Sequence, residues 1–276
     1  MTRSFRESLL LIVGVIAAMV LSLAPFLWFV SIGFKPQVEI TAIPPRLFPS
    51  DVSFTAVHEA IFTFGLMHFI KNSVIVAGCT TIVCVVVGCL AAYPLARLRI
   101  PYRRVILLGI LAVAMFPQIS IAGPVWRILR ALGWLNTYQG LIIPYLALTL
   151  PLTVWILANF FGQLPSELEE AALVDGAGLF QVLTRVIMPL AAPGVFTAAL
   201  LTFIYSWNEF FFALLIMTER DRQTLPVGIA LFPGEYTMPW GEISAASTIA
   251  TIPLILLVLF FQKRIIAGLT AGAVKG

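Results

Sequence analysis

Six stretches of the chain are each long and apolar enough to cross a membrane as a helix, which takes about 20 mostly apolar residues. They are Leu9–Gly33, Asn72–Leu95, Val105–Pro124, Leu141–Phe161, Leu190–Met217 and Ala245–Phe261. A backbone in lipid must satisfy its own hydrogen bonds, and these continuous runs lack the alternation of a membrane β-barrel. The sequence therefore predicts an all-α membrane protein with six transmembrane helices.

The composition excludes the main alternatives to a membrane protein. Hydrophobic residues make up 60% of the chain and charged residues 11%, whereas soluble domains have about 45–50% and about 25%. The net charge of +4 comes from 17 basic and 13 acidic residues, which form no single broad basic patch. A soluble domain, a disordered chain and a nucleic-acid-binding protein are therefore all unsupported.

The charges between the spans predict the orientation of the chain. Arg3 and Arg6 precede the first apolar run as in a signal peptide, but the run is longer than the roughly 7–15 residues of a signal core. We expect it to be a retained helix. With the N-terminus inside, most Lys and Arg residues are inside too, above all the cluster in Arg97–Arg104. The positive-inside rule then places both termini in the cytoplasm.

Sequence signatures of catalysis and nucleotide binding are missing. No P-loop, G-x-S-x-G or H-E-x-x-H pattern occurs. The two histidines, His58 and His68, lie outside the predicted spans. We therefore predict no catalytic residue, no metal site and no cofactor bound by this chain.

The segment between the fourth and fifth runs predicts a short helix outside the bilayer. Ser166 and Glu169 have the spacing of a capping box, in which serine caps the helix and glutamate bonds back. Gly176 is suited to the left-handed conformation that ends a helix, and a second short helix is expected over Leu179–Ile187. Two interpretations remain open: a well-capped surface helix, or a docking helix for a cytoplasmic protein.

This segment resembles the EAA loop of ATP-binding-cassette (ABC) importer permeases, in which E-A-A-x-x-D-G-A is followed by I-x-P. The match rests on Glu170, Ala171, Ala172, Asp175, Gly176, Ala177, Ile187 and Pro189. The rest of the chain is similar to the MalG-like carbohydrate (CUT1) branch, with further matches at Trp207–Phe210, Leu225–Gly228 and Gly268–Gly276.

The resemblance implies a MetI-like permease core, formed by spans two to six, with the first span as an addition. The expected divisions are 1–71, a core over 72–265 with its coupling loop at 164–189, and a cytoplasmic tail over 266–276. The implied partners are a MalF-like permease subunit, two cytoplasmic ATPases that bind ATP and Mg²⁺, and an extracellular solute-binding protein. The implied location is the bacterial inner membrane, and the implied role of the eight loop residues is coupling to the ATPases.

Polar residues within the spans indicate a solute path. Glu209 is the only acidic residue placed inside a predicted span, and a charge in lipid costs at least about 2.5 kcal/mol, which makes it a functional candidate. On a continuous helix it shares a face with Thr202, Tyr205 and Ser206. The full candidate set is Thr202, Tyr205, Ser206, Asn208, Glu209, Ser247 and Thr251. An interfacial carboxylate at Glu209 and simple helix packing in span six are the competing interpretations.

The function expected from these features is one half of the transmembrane pathway of a carbohydrate importer. An ABC permease for a polyol or a glycerol phosphoester is the first alternative. An ion-coupled secondary transporter is less well supported, since the loop signature belongs to ABC importers and the chain shows no inverted repeat.

Overall fold

The computed structural model describes residues 5–233 and 238–271. Its longer helices are α1 (Phe5–Gly33), α2 (Leu66–Arg97), α3 (Arg103–Ala114), α4 (Gln118–Ala131), α5 (Tyr138–Gln163), α6 (Glu167–Val174), α7 (Ala192–Asn208), α8 (Phe211–Ile216) and α9 (Trp240–Ala271). Shorter helical turns lie at Gln37–Ile40, Thr55–His58, Glu59–Thr63, Leu179–Val182, Leu183–Ile187, Met188–Leu190, Arg220–Arg222 and Leu225–Ala230.

Helices alone account for the apolar runs in the described part of the chain, as predicted. Four are continuous and long enough to cross a membrane: Leu9–Gly33, Leu66–Arg97, Tyr138–Gln163 and Trp240–Gln262. Two further candidates are bent pairs, Arg103–Ala114 with Gln118–Ala131 at 82° and Leu179–Leu190 with Ala192–Asn208 at 83°. Counting each bent pair as one span gives six, the predicted number, although Leu179–Leu190 belongs to the predicted loop at 164–189 and not to the predicted fifth span.

The predicted third and fifth spans were wrong as continuous helices. The third, Val105–Pro124, is interrupted before Gln118 by Pro117, which has an extended ψ of 123°. Proline lacks an N–H and disfavours a helical residue before it, which explains the break. The helix of the fifth run, Leu190–Met217, stops at Asn208 and resumes at Phe211. At this break the Glu209 carboxylate accepts hydrogen bonds from the backbone amides of Phe212 and Ala213.

The chain divides into two compact units, and α2 and α9 contribute residues to both. The first unit comprises 1–67 and 229–253. Within it, a Cβ added to Gly33 would lie 2.9 Å from the amide nitrogen of Ala245, so α1 and α9 approach closely at this glycine. The buried Lys35 places its Nζ 4.2 Å from the Trp28 ring centroid and donates to the Arg46 carbonyl at 2.5 Å.

The second unit comprises 68–228 and 254–276, and it contains two apolar clusters. One surrounds Phe161 and Ile187, and the other surrounds Tyr145 and Phe212. Helices α2 and α5 pack closely at Gly88. A Cβ added to this glycine would lie 2.7 Å from the Thr153 methyl group. These contacts hold α2, α5 and α7 as the frame for the residues described next.

The segment after α8 is fixed to the second unit by side-chain amides. Asn72 Nδ2 donates to the carbonyls of Asp221 and Gln223 at 3.0 and 2.8 Å. Tyr138 donates its hydroxyl to Asn72 Oδ1 at 2.8 Å. The charged side chains of Arg220–Arg222 remain exposed on this segment.

Candidate functional site

The predicted loop helix is present as α6, and its C-terminal end is built as expected. Gly176 has a φ of +83°. The Gly176 amide donates to the Leu173 carbonyl and the Ala177 amide donates to the Ala172 carbonyl, both at 3.0 Å. These two bonds form a Schellman motif, which satisfies the last carbonyls of a helix. The prediction that Gly176 ends this helix is confirmed.

The predicted capping box at the N-terminal end of α6 was wrong. Ser166 has helical backbone angles, and its side chain makes no capping bond. Glu169 instead bonds to two side chains of α2. Its Oε1 accepts from the Tyr93 hydroxyl at 2.5 Å, and its Oε2 accepts from Arg97 Nε at 2.9 Å. A guanidinium is a stronger partner for a carboxylate than a neutral amide, which explains why the box does not form.

Arg97 joins the end of α2 to the loop through three bonds. Besides the bond to Glu169, its Nη1 donates to the Leu164 carbonyl at 2.9 Å and its Nη2 to the Pro165 carbonyl at 3.0 Å. The Arg97 and Glu169 side chains are 8% and 13% exposed. We call Tyr93, Arg97 and Glu169 the loop clamp; it fixes the start of α6 against α2.

The eight loop residues fall into an exposed group and a packed group. Glu170, Ala171, Asp175, Gly176 and Pro189 are exposed, Ala172 and Ala177 are half-buried, and Ile187 is buried. The half-buried alanines and Ile187 belong to the apolar cluster around Phe161. Apolar side chains accompany the exposed group, with Val174 87% and Phe180 68% exposed. The loop therefore combines acidic and apolar side chains on a rigid surface.

Glu209 lies at the end of α7 and not on its face, so the shared helical face predicted for it is wrong. Its ψ is 126°. Its Oε1 accepts from the Phe212 amide at 2.9 Å, and its Oε2 accepts from the Ala213 amide at 3.2 Å and from the Tyr145 hydroxyl at 2.5 Å. The residue is 7% exposed. The carboxylate therefore holds the break between α7 and α8, and it is buried in protein instead of lying at an exposed interface.

The other candidates on α7 separate into packed and accessible residues. Thr202 is buried, with its hydroxyl 3.0 Å from that of Thr153. Ser206 is buried, and its hydroxyl has no partner within the described residues. The Tyr205 hydroxyl accepts from Gln118 Nε2 at 2.5 Å, and Asn208 is exposed.

Tyr205, Asn208 and Glu209 line a cavity of about 420 Å³. Its remaining lining residues are Gln118, Ile204, Phe210 and Phe211. Thr202 lines a second cavity of about 380 Å³ with mostly apolar walls, and Tyr205 lines this cavity too. The structure thus brings three of the seven predicted path residues together at one cavity.

Ser247 and Thr251 lie on the part of α9 that belongs to the first unit. Both are half-buried, and the Thr251 hydroxyl donates to the Ser247 carbonyl at 2.8 Å. Such bonding back to the preceding turn satisfies a hydroxyl within its own helix. Their place on a solute path stays a prediction. Among the residues that the structure describes, no cluster of three His, Cys, Asp or Glu residues has a geometry for a metal ion.

Comparison with known proteins identifies the family of this chain. Residues 84–270 match the model of the binding-protein-dependent transport system inner membrane component. The chain belongs to this family. The matched residues contain the loop at 164–189, the loop clamp and Glu209, so these features lie in the part that defines an inner membrane component.

Two relatives and one solved structure extend the match over nearly the whole chain. The trehalose/maltose transport system permease protein MalG of Thermococcus litoralis is 43% identical over 274 residues, 98% of each chain. The sulfoquinovosyl glycerol transport system permease protein SmoH of Agrobacterium fabrum is 41% identical over 254 residues, 92% of this chain and 89% of the relative.

The solved structure is a bacterial ABC transporter involved in the import of the acidic polysaccharide alginate. It aligns with a TM-score of 0.79 at 23% identity, covering 95% of this chain and 99% of the other. This likeness shows that the two chains share one fold.

The loop clamp and the role of the Gln118 amide were not predicted from the sequence. Arg97 was assigned only to the positive-inside pattern, and Glu169 only to a helix cap. Gln118 follows Pro117 directly, and a glutamine inside an apolar run was the one available signal. Its contact with Tyr205, 87 positions away, requires the folded arrangement of two helices.

Proposed function

We propose that this chain forms half of the transmembrane pathway of an ABC importer for a carbohydrate delivered by an extracellular solute-binding protein. The observation that carries the proposal is the coupling loop, which is exposed on one side and fixed to α2 on the other by Arg97 and Glu169. The substrate class follows the permease relatives, whose names specify trehalose/maltose and sulfoquinovosyl glycerol.

The coupling loop suits a cytoplasmic ATPase as its partner. Glu170 and Asp175 offer carboxylates, and the exposed Val174 and Phe180 offer apolar contacts beside them. Docking of basic and apolar groups there would let closure of the ATPase pair displace α6. Since the sequence has no P-loop, ATP and Mg²⁺ bind to two partner ATPase chains in this proposal, and the present chain is not an enzyme.

The other half of the pathway is a MalF-like permease subunit in this proposal. The solute-binding protein contacts the opposite side, where Asn72 and Tyr138 brace the exposed segment Arg220–Arg222. In this proposal the coupling loop and both termini lie in the cytoplasm of a bacterium, and the protein lies in its inner membrane. The division into 1–71, 72–265 and 266–276 accompanies it.

We also propose that the tail over 266–276 contacts the ATPase pair. Helix α9 runs to Ala271, whereas residues 272–276 of the predicted tail lie outside the described residues. Deletion of residues 268–276 should change the ratio of import to ATP hydrolysis more than assembly of the complex. Unchanged coupled import by the shortened chain would argue against a tail contact.

A second candidate substrate is a glycerol-linked compound, as in the alternative of a polyol or glycerol phosphoester. The sulfoquinovosyl glycerol relative favours keeping it, because its named solute contains both a sugar and glycerol. An uptake panel of glucose, maltose, trehalose, maltotriose and glycerol phosphodiesters separates the two classes.

The test is reconstitution of the permease pair with its ATPases and binding protein in vesicles. We expect ATP-dependent uptake of a sugar from the panel. Glu170→Lys should insert normally but lower import per ATP at least tenfold. Glu167→Lys makes the same charge change before the motif, on the first turn of the same helix, and should keep most of the coupling. Normal coupled import by Glu170→Lys would refute the role of the loop.

A further inference from the structure

Two broken spans meet beside the end of α7. Gln118 is the first residue of α4, and its amide bonds to Tyr205 near the end of α7. Helix α3 has 12 residues before the first break, which at 1.5 Å per residue is about 18 Å. Tyr205 lies about 20 Å along α7 from Ala192 by the same rise. Counted from a membrane surface at the first residue of each helix, both distances are shorter than a hydrocarbon layer of about 30 Å. The meeting point then lies within the membrane.

The cavity at this meeting point has the chemistry of a sugar site. Gln118 and Asn208 contribute amides, Tyr205 contributes a phenol, and Phe210 contributes a ring that is 40% exposed. Hydroxyl groups need donors and acceptors, and aromatic rings cover the C–H faces of a sugar. Its volume of about 420 Å³ lies in the range of about 300–1,000 Å³ typical of small-molecule sites.

Polar side chains at this depth indicate a structural or binding role, since an amide in lipid is costly unless it is hydrogen-bonded. The role of Glu209 is structural, because its carboxylate accepts hydrogen bonds from two backbone amides and from the Tyr145 hydroxyl. It positions the break and leaves its neighbours to face the cavity. Thr149 and Thr202, at the second cavity, have hydroxyls bonded within the protein. The second cavity, which Tyr205 also lines, has mostly apolar walls and no side-chain amide, so it suits a sugar less well.

We propose that the transported carbohydrate contacts this chain at Gln118, Tyr205, Asn208 and Phe210, and that Glu209 is a positioning residue that shapes this site. The proposal rests on the proposed function as a carbohydrate permease. It assigns a solute contact to this subunit itself, beside whatever its permease partner contributes.

The chain offers a matched pair of positions for the test. Asn208 and Asn159 are both exposed amides, and each donates to the carbonyl four residues earlier, that of Ile204 at 2.8 Å and that of Trp155 at 2.9 Å. Only Asn208 lines the cavity. Each is changed to cysteine in a Cys79→Ser background, which removes the exposed native thiol.

The experiment measures labelling by a small thiol reagent in the reconstituted complex during ATP turnover. The probe is the panel sugar that the wild-type complex imports fastest, with binding protein present throughout. We expect that sugar to slow labelling of Asn208→Cys at least fivefold and to leave Asn159→Cys unchanged. Gln118→Ala should lower sugar uptake about fivefold, the effect of one lost hydrogen bond.

The outcomes separate this inference from the proposed function. The inference alone would be overturned if the wild-type complex imports a sugar, that sugar slows labelling at neither position or equally at both, and Gln118→Ala takes up the sugar at the normal rate. Failure of the wild-type complex to import any sugar of the panel would overturn the proposed function and the inference together.

Discussion

Replacing Glu209 by leucine tests whether one carboxylate holds the break between α7 and α8. The change leaves the amides of Phe212 and Ala213 without their acceptor, and it leaves the Tyr145 hydroxyl only the Glu209 backbone carbonyl at 3.4 Å. A buried donor without a partner costs about 1–3 kcal/mol, so the two amides lead us to expect that Glu209→Leu lowers the free energy of unfolding by about 2–6 kcal/mol. Glu209→Gln keeps one acceptor oxygen and should lose about 1–3 kcal/mol.

The assay is thermal unfolding of the detergent-purified complex, together with sugar uptake at matched membrane levels. A loss of this size should lower the Tm of the Leu variant by about 4–24 °C, at about 2–4 °C per kcal/mol, and abolish import, while the Gln variant retains part of the stability and of the import. The exposed Glu219 provides a control, and Glu219→Leu should stay within about 0.5 kcal/mol of wild type.

A double-mutant cycle with Tyr145→Phe isolates the side-chain bond. The phenylalanine change alone should cost about 1 kcal/mol, and it should cost clearly less in the Glu209→Leu background, because the bond is already lost there. A Leu variant that unfolds with the wild-type Tm and imports at the wild-type rate would refute the account of the break.

Three further predictions concern the loop and the topology. Arg97→Ala should lower import per ATP without preventing insertion, and the exchange Arg97→Glu with Glu169→Arg should restore part of it; coupling that is unaffected by Arg97→Ala would exclude the clamp. Gly176→Ala should lower the free energy of unfolding by about 1–2 kcal/mol, seen as a lower Tm, because φ is +83°, which strains an alanine. The space around the added Cβ is open, so no clash adds to this strain. A reporter active only in the cytoplasm should work after Gly178 and fail after Leu132, and a signal after Leu132 would contradict the orientation.

The sequence predicted what depends on nearest neighbours and on the lipid solvent. The six apolar runs and the helix end at Gly176 are of this kind, since each follows from composition or from one local conformation. The break at Pro117 was not predicted, because proline does not interrupt membrane helices reliably: Pro94 and Pro151 both lie inside continuous helices.

The candidate site depended more on contacts between distant segments. Arg97 and Glu169 are 72 positions apart, and Tyr145 and Glu209 are 64 apart. Each carboxylate had a plausible local role, as a helix cap for Glu169 and as part of a polar face for Glu209. The fold gave each a partner from another helix, and only packing of α2, α5 and α7 determines those partners.

The shortness of α3 has a consequence for biogenesis. With 12 residues and a length of about 18 Å, it does not reach across a hydrocarbon layer of about 30 Å. The apolar run that contains it, Val105–Pro124, is long enough to enter the bilayer as one helix, so the break at Pro117 should form after insertion. Helix α3 packs against α5, so the third segment should reach its broken form only once the fourth segment has inserted.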